Sequence, residues 1–161
     1  MAELEYIKTL KTSRGELKVY RDWDNEGALY MTGAQTIKRY IELMDEHPDS
    51  DKYGIFWAFS NKQYEEGKAR MKQLGFYRDG QKIYSFSSGG YGTSKELIDK
   101  FFDFYKERDK KVTEECDPQE VYIYEYNNHE CMLDWDGDES AYKIIARMYG
   151  GEVAKGITRF S

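Results

Sequence analysis

Hydrophobic and polar positions alternate at the start of the chain. In residues 16–23, Leu17 and Val19 alternate with Lys18 and Tyr20, the period of a half-buried strand. Residues 4–10 read as its partner across a turn at Ser13, Arg14 and Gly15, and Leu29 to Met31 as a short third strand. The period then lengthens. Ala34, Ile37, Ile41 and Met44 fall on one helical face, and Thr32 with Gln35 forms a capping box that predicts the helix start. A polar loop around His47 and Pro48 ends that helix. From Gly54 to Phe59 the chain is apolar on both faces, which predicts a central strand with Trp57 and Phe59 in the core.

Ser60 and Asn61 are N-cap residues for a second helix. Its buried stripe is Tyr64, Gly67, Met71 and Leu74, and Gly75 stops it. A tight turn at Arg78 to Gln81 leads to a strand over 82–86, then a glycine-rich turn over 87–92. Thr93 with Glu96 is a second capping box, opening a long helix with Leu97, Ile98, Phe101, Phe102 and Tyr105 on its apolar side. Asp117 and Pro118 read as a break before a strand over 120–126, with Tyr122, Tyr124 and Tyr126 on one face. Asp136 with Glu139 caps the last helix, whose core face is Ala141, Ile144, Ile145 and Met148. Residues 152–160 return as a last strand. The expectation is one α+β domain over residues 1–161: a mainly antiparallel sheet with about four helices packed on it.

Composition narrows the function. At 161 residues the chain can bury a core without staples, and its two cysteines make no disulfide framework or C-x-x-C. No stretch approaches a membrane span, and the acidic N-terminus does not resemble a signal peptide, so a cytoplasmic protein is expected. The formal charge of −6, with no basic stripe, argues against binding nucleic acid directly. Fifteen tyrosines suit either a sheet or a contact surface for another protein.

Four stretches could carry chemistry. On a strand, His129 and Cys131 would share a face, as a thiol nucleophile with its base or as two zinc ligands. No second ligand pair accompanies them, and the plainer reading is a buried cysteine beside a turn made by His129, Asn127 and Asn128. The acidic run Asp134 to Glu139 fails the order of a calcium loop, and capping accounts for Asp136 and Glu139. No metal and no cofactor are expected. The Ser88 to Gly92 turn resembles the glycine half of the acyl-CoA turn of GCN5-related acetyltransferases, with Ser87 in place of the leading Arg or Gln. Structural turn glycines are the competing reading. The last stretch is aromatic: Tyr122, Tyr124, Tyr126 and Trp135, with Asn127, Asn128 and Glu130 beside them, could form a contact patch, and Gly90 and Gly92 could line a binding turn.

Three phrases together carry a resemblance: Phe56 to Gly67 (FWAFSNKQYEEG), the GGYGT turn from Gly89, and Asp117 to Cys131 (DPQEVYIYEYNNHEC). They resemble an uncharacterised family, of the domain-of-unknown-function kind, found in gut bacteria, phages and conjugative elements, over about residues 53–160. The resemblance implies a small cytoplasmic mobile-element protein and no reaction. The sequence reading is therefore a non-enzymatic protein-binding or accessory factor, with a host defence component as a candidate target. The alternative is a small enzyme working through the 88–93 turn or through His129 and Cys131.

Overall fold

In the computed structural model the chain is described over residues 3–128 and 137–160. It opens with the expected hairpin. Strand β1 (Leu4–Thr12) pairs antiparallel with β2 (Gly15–Asp22), and β3 (Ala28–Thr32) adds to the other side of β2. The turn is tied by Thr12, whose hydroxyl donates to the Gly15 carbonyl (3.0 Å) and accepts from the Arg14 N–H (3.1 Å). Leu10, Leu17, Val19 and Leu29 are buried on one face of this sheet, as the alternation requires.

Helix α1 (Ile37–Met44) follows. The Thr32 and Gln35 box does not start it. Thr36 is the N-cap residue, and its side chain does not cap the helix. The N–H groups of Thr36 and Ile37 instead donate to one oxygen of Glu120, at 2.8 and 3.0 Å.

Glu120 lies on α4 (Pro118–Asn127), which corrects the strand expected over 120–126. Asp117 accepts from the N–H groups of Gln119 (2.9 Å) and Glu120 (3.3 Å), and Pro118 takes the first turn, where a missing N–H costs nothing. The Asp-Pro pair is thus a helix start. The period was misleading because α4 is buried nearly all round: Gln119, Glu120, Val121, Tyr122, Ile123 and Glu125 are all inside. A helix buried on every side has no polar face to betray its 3.6 period.

Helix α5 (Gly137–Tyr149) and the short α6 (Gly151–Gly156) complete this region. The final strand expected over 152–160 is replaced by α6 and an irregular tail. The described chain thus carries six α-helices rather than about four, and two three-stranded antiparallel sheets rather than one. The fold is α+β. Among the described residues, no helix is long and apolar enough to cross a membrane.

By its internal contacts the chain divides into two compact units, residues 1–45 with 109–161, and residues 46–108. The core of the first gathers Leu17, Val19, Tyr40, Leu43, Val121, Tyr122, Ile123 and Ile145. The second holds a small sheet in the order β4 (Ile55–Trp57), β6 (Gly90–Gly92), β5 (Tyr84–Ser87), together with α2 (Asn61–Gln73). Helix α3 (Lys95–Glu115) contributes its N-terminal part. Two clusters form this core: Ile55, Ile98 and Phe101 in one, and Phe56, Ala58 and Met71 in the other.

The central strand here is not the apolar 54–59 run. That run supplies the edge strand β4, and the stretch expected to be a glycine turn supplies the middle, β6. Close packing explains the exchange. A side chain at Gly92 would collide with Ile98, and one at Gly90 with the Phe86 ring. Only glycine lets those large residues lie directly on the strand.

Candidate functional site

The most distinctive phrase, over its described residues 117–128, holds the first unit together. The Gln119 amide clamps the backbone of Thr158, donating to its carbonyl (2.9 Å) and accepting from its N–H (2.6 Å). Asn127 does the same to Leu29, an edge-strand residue, at 2.6 and 2.9 Å. Asp117 takes the Ser13 hydroxyl (3.2 Å) and donates its own N–H to Thr36 (2.9 Å). Each clamp gives a remote backbone group the partner that burial would deny it.

The tyrosines of this phrase differ in exposure, and the one at its centre is buried. Tyr122 is fully buried; its hydroxyl donates to Asp138 (2.6 Å) and accepts the N–H of Phe160 (2.8 Å). Burial, then the Asp138 hydrogen bond, pushes its pKa well above the ordinary phenol range. Tyr124 is half-buried and meets the buried Tyr40 ring edge-on at 5.8 Å. Tyr126 is half-buried and accepts from Arg21 (3.0 Å). Asn128 is exposed and caps the end of α4. On a helix Tyr124 points about 200° away from Tyr122, whereas Tyr126, one turn on, lies on the Tyr122 side and meets its ring at 6.2 Å.

Two buried groups nearby have shifted titration. Glu125 accepts the Tyr40 hydroxyl (2.8 Å), and burial raises its carboxyl above the usual range. Cys116 is buried, and burial, reinforced by the Glu115 charge, pushes its thiol up to about 11. A thiol so placed stays protonated and is no nucleophile at neutral pH. His129, Glu130, Cys131 and Trp135 lie outside the described residues, as does the Asp136 cap. Among the described residues no group of three His, Cys, Asp or Glu side chains is arranged to hold a metal.

The second unit reverses the pattern. Trp57 and Phe59, expected in the core, stand exposed, at 48% and 76%. Phe59 occupies the step from β4 into α2, where Ser60 accepts the Gln63 N–H (3.2 Å) and Gln63 accepts the Phe59 N–H (2.7 Å). This reciprocal box fixes the backbone of Phe59. Its ring lies against Gly89, the second residue of the β5–β6 hairpin loop, where φ is +79° and a Cβ would strike the ring. The ring therefore rests on the Gly89 backbone with the rest of its surface in solvent.

Phe59 separates two clefts. One, of about 560 Å³, is lined by Ala58, Phe59, Ser60, Asn61, Tyr64, Ser88, Gly89 and Tyr91. Its tyrosines are braced: Tyr91 stacks on Phe56 at 5.5 Å and meets Tyr64 edge-on at 5.0 Å. The other, of about 480 Å³, runs along β4 past Trp57 to Gln63, Glu66, Gly67 and Arg70 on α2. Gly67 lets Phe56 pack against the helix, and Arg70 is paired with Asp51, whose carboxyl it holds below its ordinary range. Trp57 in turn meets Phe86 edge-on at 5.5 Å, and Phe86 meets the exposed Phe102 at 5.4 Å.

The glycines of the 88–93 stretch have backbone roles in this sheet. Gly90 and Gly92 pair with Trp57 and Ile55 on one side and with Ser87 and Tyr84 on the other. Their backbone belongs to a ladder and not to an open anion-binding turn. Sequence reasoning missed Phe59 as a surface residue because an apolar run carries no mark of which member faces out. Its position one residue before a Ser cap, beyond the end of the strand, was the available sign.

No curated protein and no solved structure matches the chain. A family model described as a family of unknown function (DUF7659) matches residues 39–153, which include both clefts and all of α4, and the chain belongs to that family.

Proposed function

We propose that the chain is a non-enzymatic binding factor whose recognition surface is the aromatic face of residues 46–108. One observation carries this reading: Phe59 is 76% exposed, with its backbone tied by the Ser60–Gln63 box and its ring seated on Gly89. Exposing a large apolar ring costs solubility, and holding it rigid removes the entropy a partner would otherwise have to freeze out. Trp57 and Phe102 extend the apolar area, and interface hot spots are rich in such rings.

A protein is the partner that best fits an open, multi-ring surface. The resemblance that the 56–67, 89–93 and 117–131 phrases together carry to a family of gut bacteria, phages and conjugative elements supports a host or phage protein met in the cytoplasm, such as a defence component. The formal charge of −6 is in keeping with a protein rather than a nucleic-acid target.

The test is quantitative affinity capture from a bacterial host lysate, comparing wild type with Phe59→Ala and Trp57→Ala, each with thermal unfolding measured in parallel. The expected result is a set of proteins depleted at least about tenfold by Phe59→Ala, with the unfolding midpoint unchanged. Identical capture profiles for wild type and both variants would remove the aromatic face as a recognition surface.

A further inference from the structure

We infer that the free edge of β1 pairs antiparallel with β1 of a second copy, joining two three-stranded sheets into one of six strands. This surface lies in the other unit from the aromatic clefts, and the inference does not depend on their role.

Strand β1 is nine residues long, and among the described residues it pairs only with β2, which leaves its other edge unpaired there. The positions of its unpaired groups follow from the ladder. Thr12 and Gly15 close the two-residue hairpin, so alternation sends the backbone groups of Lys11 and Thr9 off the free edge. At the other end the Trp23 N–H donates to the Glu3 carbonyl (3.0 Å), which leaves Leu4 and Tyr6 facing outward by the same rule. Leu4 and Tyr6 are 42% and 54% exposed, and most other residues of the strand are exposed too.

An open edge is ordinarily guarded by charged side chains, and charges of one sign repel a second copy in any register. On β1 the signs are segregated. Glu3 and Glu5 occupy one end, Lys8 and Lys11 the other. None of the four forms an ion pair among the described residues; Glu5 accepts the Trp23 indole N–H (2.7 Å), and the Lys8 ammonium sits 5.5 Å from the centre of the Phe160 ring. In an antiparallel pair the acidic end of each strand meets the basic end of the other. Setting Leu4 opposite Lys11 of the second copy, and Tyr6 opposite Thr9, matches outward groups with outward groups. That register also puts Glu5 diagonal to Lys8, within reach of long side chains. The bulge between Tyr6 and Lys8 twists the strand and limits how far the pairing extends. The contact is smaller than the roughly 1,600 Å² of a standard interface, so the dimer is weak and salt-sensitive.

Sedimentation velocity tests this with the full chain, at low salt and up to about 0.5 mM protein. Wild type is expected to dimerise, and raising the salt to about 0.5 M to reverse it. Lys8→Glu/Lys11→Glu and Glu3→Lys/Glu5→Lys, each checked for folding by circular dichroism, are each expected to weaken self-association at least about tenfold. Mixing the two variants should restore the dimer, because every charge then faces its opposite. A wild type that stays monomeric throughout, variants that dimerise as wild type does, or a mixture that stays monomeric would each overturn the inference.

Discussion

Residues 117–128 and residues 56–64 are both rich in aromatic and polar side chains, and they use them in opposite ways. In the first stretch the polar groups that look available for chemistry are bonded to the backbone of distant segments, and Tyr122 is buried. In the second the rings that look like core, Trp57 and Phe59, are exposed, and glycines hold the neighbouring backbones close. A conspicuous motif can mark a structural hub, while exposed rings can lie in a bland apolar run. What separates them is whether each group's hydrogen-bonding or apolar demand is met inside the chain.

The sharpest way to break this contrast is at Glu120. Glu120→Ala leaves the first N–H groups of α1 without their acceptor inside the protein and opens a void, so denaturant unfolding is expected to show a loss of about 3 kcal/mol. A loss below about 1 kcal/mol would mean that water replaces the carboxylate and that α4 is not the hub described. Gly89→Ala comes next. It forces alanine into φ +79° and into the space of the Phe59 ring, so about 1–3 kcal/mol should be lost together with partner capture. If capture survives, the seating of Phe59 on Gly89 is not what presents it.

Glu125→Gln probes the hub through pH. Burial raises the Glu125 pKa in the folded protein above the ordinary value of 4.5. Its contribution is therefore fully present below that value and is lost as pH rises through the folded-state pKa. The variant should gain stability relative to wild type as pH increases from about 4 to 8, read from unfolding midpoints across the range. A difference that does not vary with pH would show that Glu125 is solvated. The smallest expected effect is on stability in Phe59→Ala: within about 0.5 kcal/mol of wild type, as for a surface residue. A larger loss would return Phe59 to the core.

Elements written locally were legible. The β1–β2 hairpin follows from alternation with a turn at Ser13 to Gly15, and the start of α2 from Ser60. The Thr93 box was displaced by only one residue, since Ser94 accepts the Leu97 N–H instead (3.3 Å). The exposed Trp57 and Phe59 were not legible, nor was β4 as an edge strand, because exposure depends on what other segments cover.

The sequence by itself determined the α+β class, the hairpin and the caps whose partners lie within four residues, because those energies are local. Only the tertiary structure decided that residues 118–127 are a helix, that a carboxylate 84 positions away accepts from the N–H of Thr36, the N-cap of α1, and that Phe59 faces solvent. In each case the deciding free energy is the cost of burying a polar group or a ring. That cost exists only once distant parts of the chain have come together.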